Sequence, residues 1–243
     1  MASRTSPSAD EDSLSRLLDH IEELAGSGSG DYLLRRMSRQ MATAAGARWA
    51  LVAEVQSPDR LRSIAIWSGE SYGETAEYPI AGTPFEHMFS IGAMVHATGV
   101  RTAFPLDGWL ESIGAEAFAA VPLFSSDGSP LGHLAVIHDG PLDGDSVIPL
   151  LRLFGLRAAP ELERLGIERR LRESEERYRR LVEASPDVIY RLRFVPERRM
   201  EYVSPAAERI FGHTSAEFYA DPDLLLTLVA EPQGDEEDIL AGR

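Results

Sequence analysis

Two apolar runs, Ala117–Phe124 and Leu131–Ile137, flank the tetrapeptide Ser126-Asp127-Gly128-Ser129. This pairing constrains the fold more than any other stretch. An Asp-Gly step between two strand-like runs is a strong hairpin mark, because a tight turn needs residues that accept positive φ. A second pair, Trp49–Val55 and Leu61–Trp67, surrounds Ser57-Pro58-Asp59-Arg60, which has turn chemistry and predicts another hairpin. Glu77–Ile80 reads as a further strand.

Helical patterns frame these strands. Asp31 stands where it can cap a helix reaching about Ala45, with Leu33, Leu34, Met37 and Met41 on one stripe and Gly46 as its stop. Thr83-Pro84 suits a helix start running to Phe89, Gly92–Phe104 reads as irregular or weakly extended, and Leu106–Ile113 as a short helix. Asp145 or Ser146 opens a long helix toward Ala184, in which Pro160 predicts a kink or a break. Its later half carries Glu168/Arg172, Glu173/Arg177, Glu175/Arg179 and Glu176/Arg180 at i,i+4, beside a seam of Leu162, Leu165, Leu171, Tyr178 and Leu181. A seam between charged flanks suits a two-stranded parallel coiled coil, and so a homodimer through this helix. Beyond Ser185-Pro186-Asp187 follow strands Val188–Phe194 and Met200–Val203, then short helices near Ser204–Phe211, Ser215–Tyr219 and Leu224–Val229. Met1–Asp12 has the composition of a disordered segment, Ser13–Ala25 reads as a short amphipathic helix, and Gly26–Gly30 as a flexible break.

Composition removes whole classes of chemistry. The chain has no cysteine, so disulfides, thiolate metal sites and cysteine nucleophiles are excluded. It has no lysine either, which removes a P-loop lysine and any Schiff base. A net charge of −15 repels phosphate backbones, and the arginines of 169–180 are interleaved with glutamates, the pattern of a solvated helix face. No nucleic-acid partner is expected. The longest near-apolar stretch, Ala117–Phe124, is far short of the ~20 residues a membrane span needs, and no secretory signal pattern opens the chain. The expected location is the cytoplasm, with no membrane partner. No G-x-S-x-G elbow and no isolated carboxylate pair is present, so no catalytic residue is nominated. His133 and His138 lie at an odd offset on one strand and should face opposite sides, which makes them poor partners for one metal ion. No metal site and no named cofactor are expected. Gln233-Gly234-Asp235-Glu236-Glu237 has only a superficial likeness to the GGDEF signature of diguanylate cyclases and reads as acidic tail.

Two resemblances organise these readings. Leu171–Phe218 (LRESEERYRRLVEASPDVIYRLRF…YVSPAAERIFGHTSAEF) resembles the start of a PAS domain. Asp31–Leu156 resembles a GAF domain, through AGTPFEHMF (Ala81–Phe89), the strand pair AFAAVPLFSSDGSPLGHLAVIHDGPL (Ala117–Leu142) and the helix after it. The resemblance implies an α+β fold: an antiparallel GAF-like sheet with helices on its faces, a long connecting helix and an incomplete PAS-like α+β unit. The expected division is 1–30 as disordered segment and short helix, 31–156 as the GAF-like domain, 157–184 as the connecting helix and 185–243 as the partial PAS-like domain. It further implies a small-molecule pocket between sheet and covering elements, for which Phe85, His87, Met94, His96 and Phe118 are the candidate ligand-binding residues. Met88, Phe89 and Trp109 are aromatic or thioether neighbours that fit a plain core as well. Related GAF sequences often have cysteine where Phe85 stands, so thiol-based sensing is not implied here. The functional expectation is a sensory input module of a bacterial signal-transduction protein, with a histidine kinase as output. The alternative is a ligand-free dimerisation or protein-interaction module.

Overall fold

The computed structural model describes residues 29–230, and these divide after Ile167 into two compact units. In the first unit both expected hairpins form and lie side by side. β1 (Trp49–Ser57) pairs antiparallel with β2 (Arg60–Trp67), and β5 (Ala117–Phe124) with β6 (Pro130–His138). β1 also pairs antiparallel with β6, bringing Ala53 opposite His133. Two three-residue strands, β3 (Glu77–Pro79) and β4 (Met94–His96), close the edges of a six-stranded sheet in the order β3-β2-β1-β6-β5-β4. The helices of this unit are α1 (Asp31–Ala45), α2 (Met88–Ile91), α3 (Val100–Ala103), α4 (Gly108–Ser112) and α5 (Gly144–Ala184), the last of which continues past Ile167.

The central strands read as nearly unbroken apolar runs because both faces of the sheet are covered. On one face, Leu33, Leu34, Met37 and Met41 of α1 and Leu151, Phe154, Ala158 and Leu162 of α5 pack on Ala50, Val52, Ala119, Val121, Leu134 and Val136. Alanines at these strand positions remove side-chain bulk and let the two helices dock closely. On the other face, Phe85, Met88, Val100 and Leu110 from loops and short helices cover Leu51, Ala53, Phe118, Ala120, Ala135 and Ile137. At Gly132 the β6 backbone comes so near β1 that a Cβ would stand 1.9 Å from the Ala53 carbonyl oxygen. Only glycine fits there without parting the ladder.

Several local expectations differ from the structure. α1 begins at Asp31 itself, and its N-cap is Gly30, which has no side chain to cap with. A distant group ties down the cap residue itself: the Glu161 carboxylate of α5 accepts the Gly30 N–H and also pairs with Arg164 at 2.7 Å. Thr83-Pro84 opens turns and no helix; the Thr83 hydroxyl donates back to the Ile80 carbonyl at 2.6 Å, and the helix waits until Met88. The stretch expected to be irregular holds β4 and α3. α5 runs without a break through both Pro149 and Pro160. The Pro160 ring is on the exposed side while Ala158 and Leu162 are buried, so sheet packing on either side of the proline offsets the missing hydrogen bond. Leu162 belongs to the core of the first unit, which accounts for the division falling after Ile167.

In the second unit β7 (Tyr190–Arg193) pairs antiparallel with β8 (Arg199–Val203), followed by α6 (Ala206–Phe211), α7 (Ser215–Ala220) and α8 (Leu224–Ala230). Met200, Val203, Ala207, Phe218 and Leu225 form its small core. Thr214 and Glu217 build a reciprocal capping box at the start of α7. The helix expected over Ser13–Ala25 and the acidic stretch from Glu231 lie outside the described residues. Among the described residues, no helix is long and apolar enough to cross a membrane.

Candidate functional site

A cavity of about 400 Å³ lies in the first unit, on the sheet face away from α1 and α5. Its floor is Leu51 of β1 with Ser63 and Ile66 of β2. One wall is the stretch from Glu74 through Tyr78 to Phe85, and the other is Leu106–Trp109 at the start of α4. The volume is within the range of small-molecule sites, and most of the lining is apolar.

The first wall has little regular structure and is held by specific bonds. Ser63 and Ala76 exchange three of them: Ser63 N–H donates to the Ala76 carbonyl at 2.9 Å, the Ser63 hydroxyl donates to the same oxygen at 3.2 Å, and Ala76 N–H donates to the hydroxyl at 2.7 Å. Further along, Thr83 Oγ1 accepts the Phe85 N–H at 3.3 Å, turning the chain so that the Phe85 ring enters the core. The opposite wall is fixed by Asp107, whose Oδ1 accepts the N–H groups of Trp109 and Leu110 at 3.1 Å each and so caps α4.

A polar pair joins Tyr78 of the lining to the buried His133 behind it. The Tyr78 hydroxyl is 2.8 Å from His133 Nε2, and the His133 ring stacks on Phe85 at 3.9 Å between centroids. His133 is fully buried, and its Nδ1 has no hydrogen-bond partner. Burial holds the imidazole neutral, pushing its pKa down to about 3. Burial, and after it the charge of Asp107, push the Tyr78 phenol far above its ordinary value, so it stays a hydroxyl. Phe118 completes the group, edge-on to Phe85 at 5.4 Å.

Of the five residues nominated from the sequence, Phe85 lines the cavity. Phe118 and Met94 share the core cluster of Phe85 behind the lining. His87 is exposed at the start of α2, and His96 sits on the edge strand against Phe104 at 5.1 Å. Burial holds the His96 imidazole below its ordinary value. Trp109, weighed from the sequence both as a pocket residue and as plain core, lines the cavity. Tyr78, Asp107 and the supporting His133 were missed. A period-two reading of β6 places His133 on the same face as Ala135 and Ile137, and a histidine amid apolar neighbours is the signal that marked it. Among the described residues, no cluster of three His, Asp or Glu side chains is arranged to hold a metal ion.

Residues 176–242 match the family model described as PAS domain. The chromophore-binding domain of Stigmatella aurantiaca phytochrome P1 superposes with a TM-score of 0.51 at 12% identity, over 65% of this chain and 62% of that one. The chromophore-binding domain of an unusual bacteriophytochrome from R. palustris gives a TM-score of 0.54 at 9% identity, over 67% of this chain and 65% of that one. A GAF sensor protein from Burkholderia vietnamiensis gives 0.50 at 12% identity, over 70% of this chain and 99% of that one. The chain pairs a GAF fold with a PAS domain match. No curated protein matches it in sequence. The chain spans under two thirds of the length of the two phytochrome structures.

Proposed function

We propose that this chain is the sensory input part of a bacterial signal-transduction protein: a small ligand occupies the GAF cavity, and occupancy is relayed through α5 in a homodimer. The observation that carries this reading is the cavity itself. It is walled by residues that individual side-chain bonds hold in place, with Tyr78 of the lining bonded to His133 behind it. The phytochrome structures of similar fold are chromophore-binding domains, which supports a ligand-binding role. In this reading the chain performs no catalytic step, acts in the cytoplasm, and hands its signal to a histidine kinase.

The homodimer is supported by α5. Ile167, Leu171, Tyr178 and Leu181 are all exposed and follow the spacing of a coiled-coil seam. Because the chain lacks cysteine, a single L171C substitution gives an unambiguous crosslinking probe. Under mild oxidation it should yield a covalent dimer, and native mass spectrometry of the unmodified chain should show two copies carrying a small molecule in the GAF unit. A chain that stays monomeric at high concentration, with no crosslink at residue 171, would sink the relay. The second reading, a ligand-free dimerisation module, rests on the same stripe; it wins if the dimer forms and no compound occupies or stabilises the GAF unit.

A further inference from the structure

The polar groups around the GAF cavity fall into those already satisfied and those left facing it. The Ser63 hydroxyl is committed to Ala76, and the Thr83 hydroxyl to Ile80 and Phe85. The first N–H groups of α4, which would otherwise receive an anion, are taken by Asp107 Oδ1. What remains is Asp107 Oδ2 and the Glu74 carboxylate, because the Tyr78 hydroxyl is committed to His133. Among the described residues the lining contains no arginine and no histidine, and the chain has no lysine. Three aromatic rings, Tyr78, Phe85 and Trp109, also line the space.

Each of these features selects the same charge. Carboxylates with no cation in the lining repel an anionic ligand, and the overall charge of −15 adds a long-range term of the same sign. Aromatic faces attract a cation through their quadrupole, most strongly where water is excluded. Asp107 is itself part of the cavity lining, beside Trp109.

Resting on the proposed binding role of this cavity, we infer that its ligand is a compact organic cation: an apolar or aromatic body carrying an ammonium or protonated ring nitrogen. The nitrogen is placed against Asp107 at the cap of α4, and the body lies on Leu51, Ile66 and Phe85. Phosphorylated and carboxylated ligands are disfavoured.

Three compounds that share one ring and differ in charge test this on the full chain: tryptamine, indole and indole-3-acetate, each titrated by calorimetry. Tryptamine should bind about tenfold more tightly than indole, and indole-3-acetate more weakly than either. D107N retains an N-cap acceptor for α4. It should remove the advantage of tryptamine while leaving indole affinity unchanged. Indole-3-acetate binding as tightly as tryptamine, or D107N preserving the tryptamine preference, would overturn the charge assignment and leave the binding reading standing. Failure of all three to bind at millimolar concentration would overturn the binding reading and the assignment together.

Discussion

Replacing His133 with phenylalanine should flatten the acid side of the stability profile of the GAF unit. The phenyl ring keeps the stack on Phe85 and fills a similar volume, but it cannot take up a proton. In the native state burial pushes the imidazole pKa down to about 3, whereas the unfolded chain titrates at the ordinary value near 6.5. Between these values the unfolded state binds a proton that the native state refuses. The contribution is therefore flat above about pH 6.5, and stability is lost as pH falls, by roughly 1.4 kcal/mol per unit down to about pH 3. From pH 7.5 to pH 5 the loss from this one group comes to about 2 kcal/mol. Urea unfolding followed by tryptophan fluorescence isolates it, because all three tryptophans, Trp49, Trp67 and Trp109, belong to the first unit. The carboxylates held below their ordinary values, Asp139 by Arg48 and Glu161 by Arg164 among them, titrate in both proteins and cancel in the difference. At pH 7.5 the variant should be less stable, because the Tyr78 hydroxyl loses its partner. Its loss on going to pH 5 should nevertheless be smaller than that of the parent by about 2 kcal/mol. Equal losses in the two proteins would refute the assignment of a neutral, proton-refusing imidazole at this position.

Other perturbations test the frame around that group. Gly132→Ala places a Cβ 1.9 Å from the Ala53 carbonyl oxygen and should cost about 3 kcal/mol or more in the same urea assay, since the β1–β6 ladder must part to admit it. Phe154→Ala empties the centre of the α5–sheet contact, where the ring is fully buried, and should cost about 3–5 kcal/mol, read as a lowered thermal midpoint. Tyr78→Phe strips His133 of its hydrogen-bond partner and should cost about 1–3 kcal/mol by urea unfolding. Glu161→Ala removes the acceptor for the Gly30 N–H and should cost about 1 kcal/mol at neutral pH. Arg164 and that N–H hold the Glu161 carboxyl below its ordinary value, so the deficit relative to the parent should shrink as pH falls through its native pKa.

The strands were legible because local chemistry and tertiary packing agree there. The Asp-Gly turn and the Ser-Pro-Asp-Arg turn each sit between runs that the sheet buries on both faces, so turn preference and burial point the same way. The helices were less legible wherever a distant partner decides. Asp31 has the chemistry of a cap, yet the helix begins at Asp31 itself, and its cap residue Gly30 is held through its own N–H by Glu161, far along the chain. Thr83-Pro84 looks like a helix start, yet the Thr83 hydroxyl turns back to Ile80. Pro160 should interrupt a helix, yet Ala158 and Leu162 on the sheet hold it together. The site shows the same limit. Phe85 was accessible to sequence reasoning as part of a quoted motif, but the cavity depends on Tyr78, Asp107 and Trp109, which come together only when β3 and α4 are placed over β2. His133 could be marked as buried by its apolar strand neighbours, but its partner Tyr78 is on another strand, so the sequence does not show the bond between them.

The wall from Glu74 to Phe85 has a consequence for how the cavity fills. β3 meets β2 over only three residue pairs, and beyond them the wall is fastened by the Ser63–Ala76 bonds, the Tyr78–His133 bond and the Ile80 N–H on the Asp59 carbonyl. Behind it, β1 and β6 are joined by an unbroken six-pair ladder and covered by two helices. A segment with so few fastenings swings open at a fraction of the free energy that unfolds the sheet. Its amide hydrogens should therefore exchange with solvent orders of magnitude faster than those of β1 and β6. Under the proposed binding role, a ligand would enter and leave through this wall while the strands behind it stay paired.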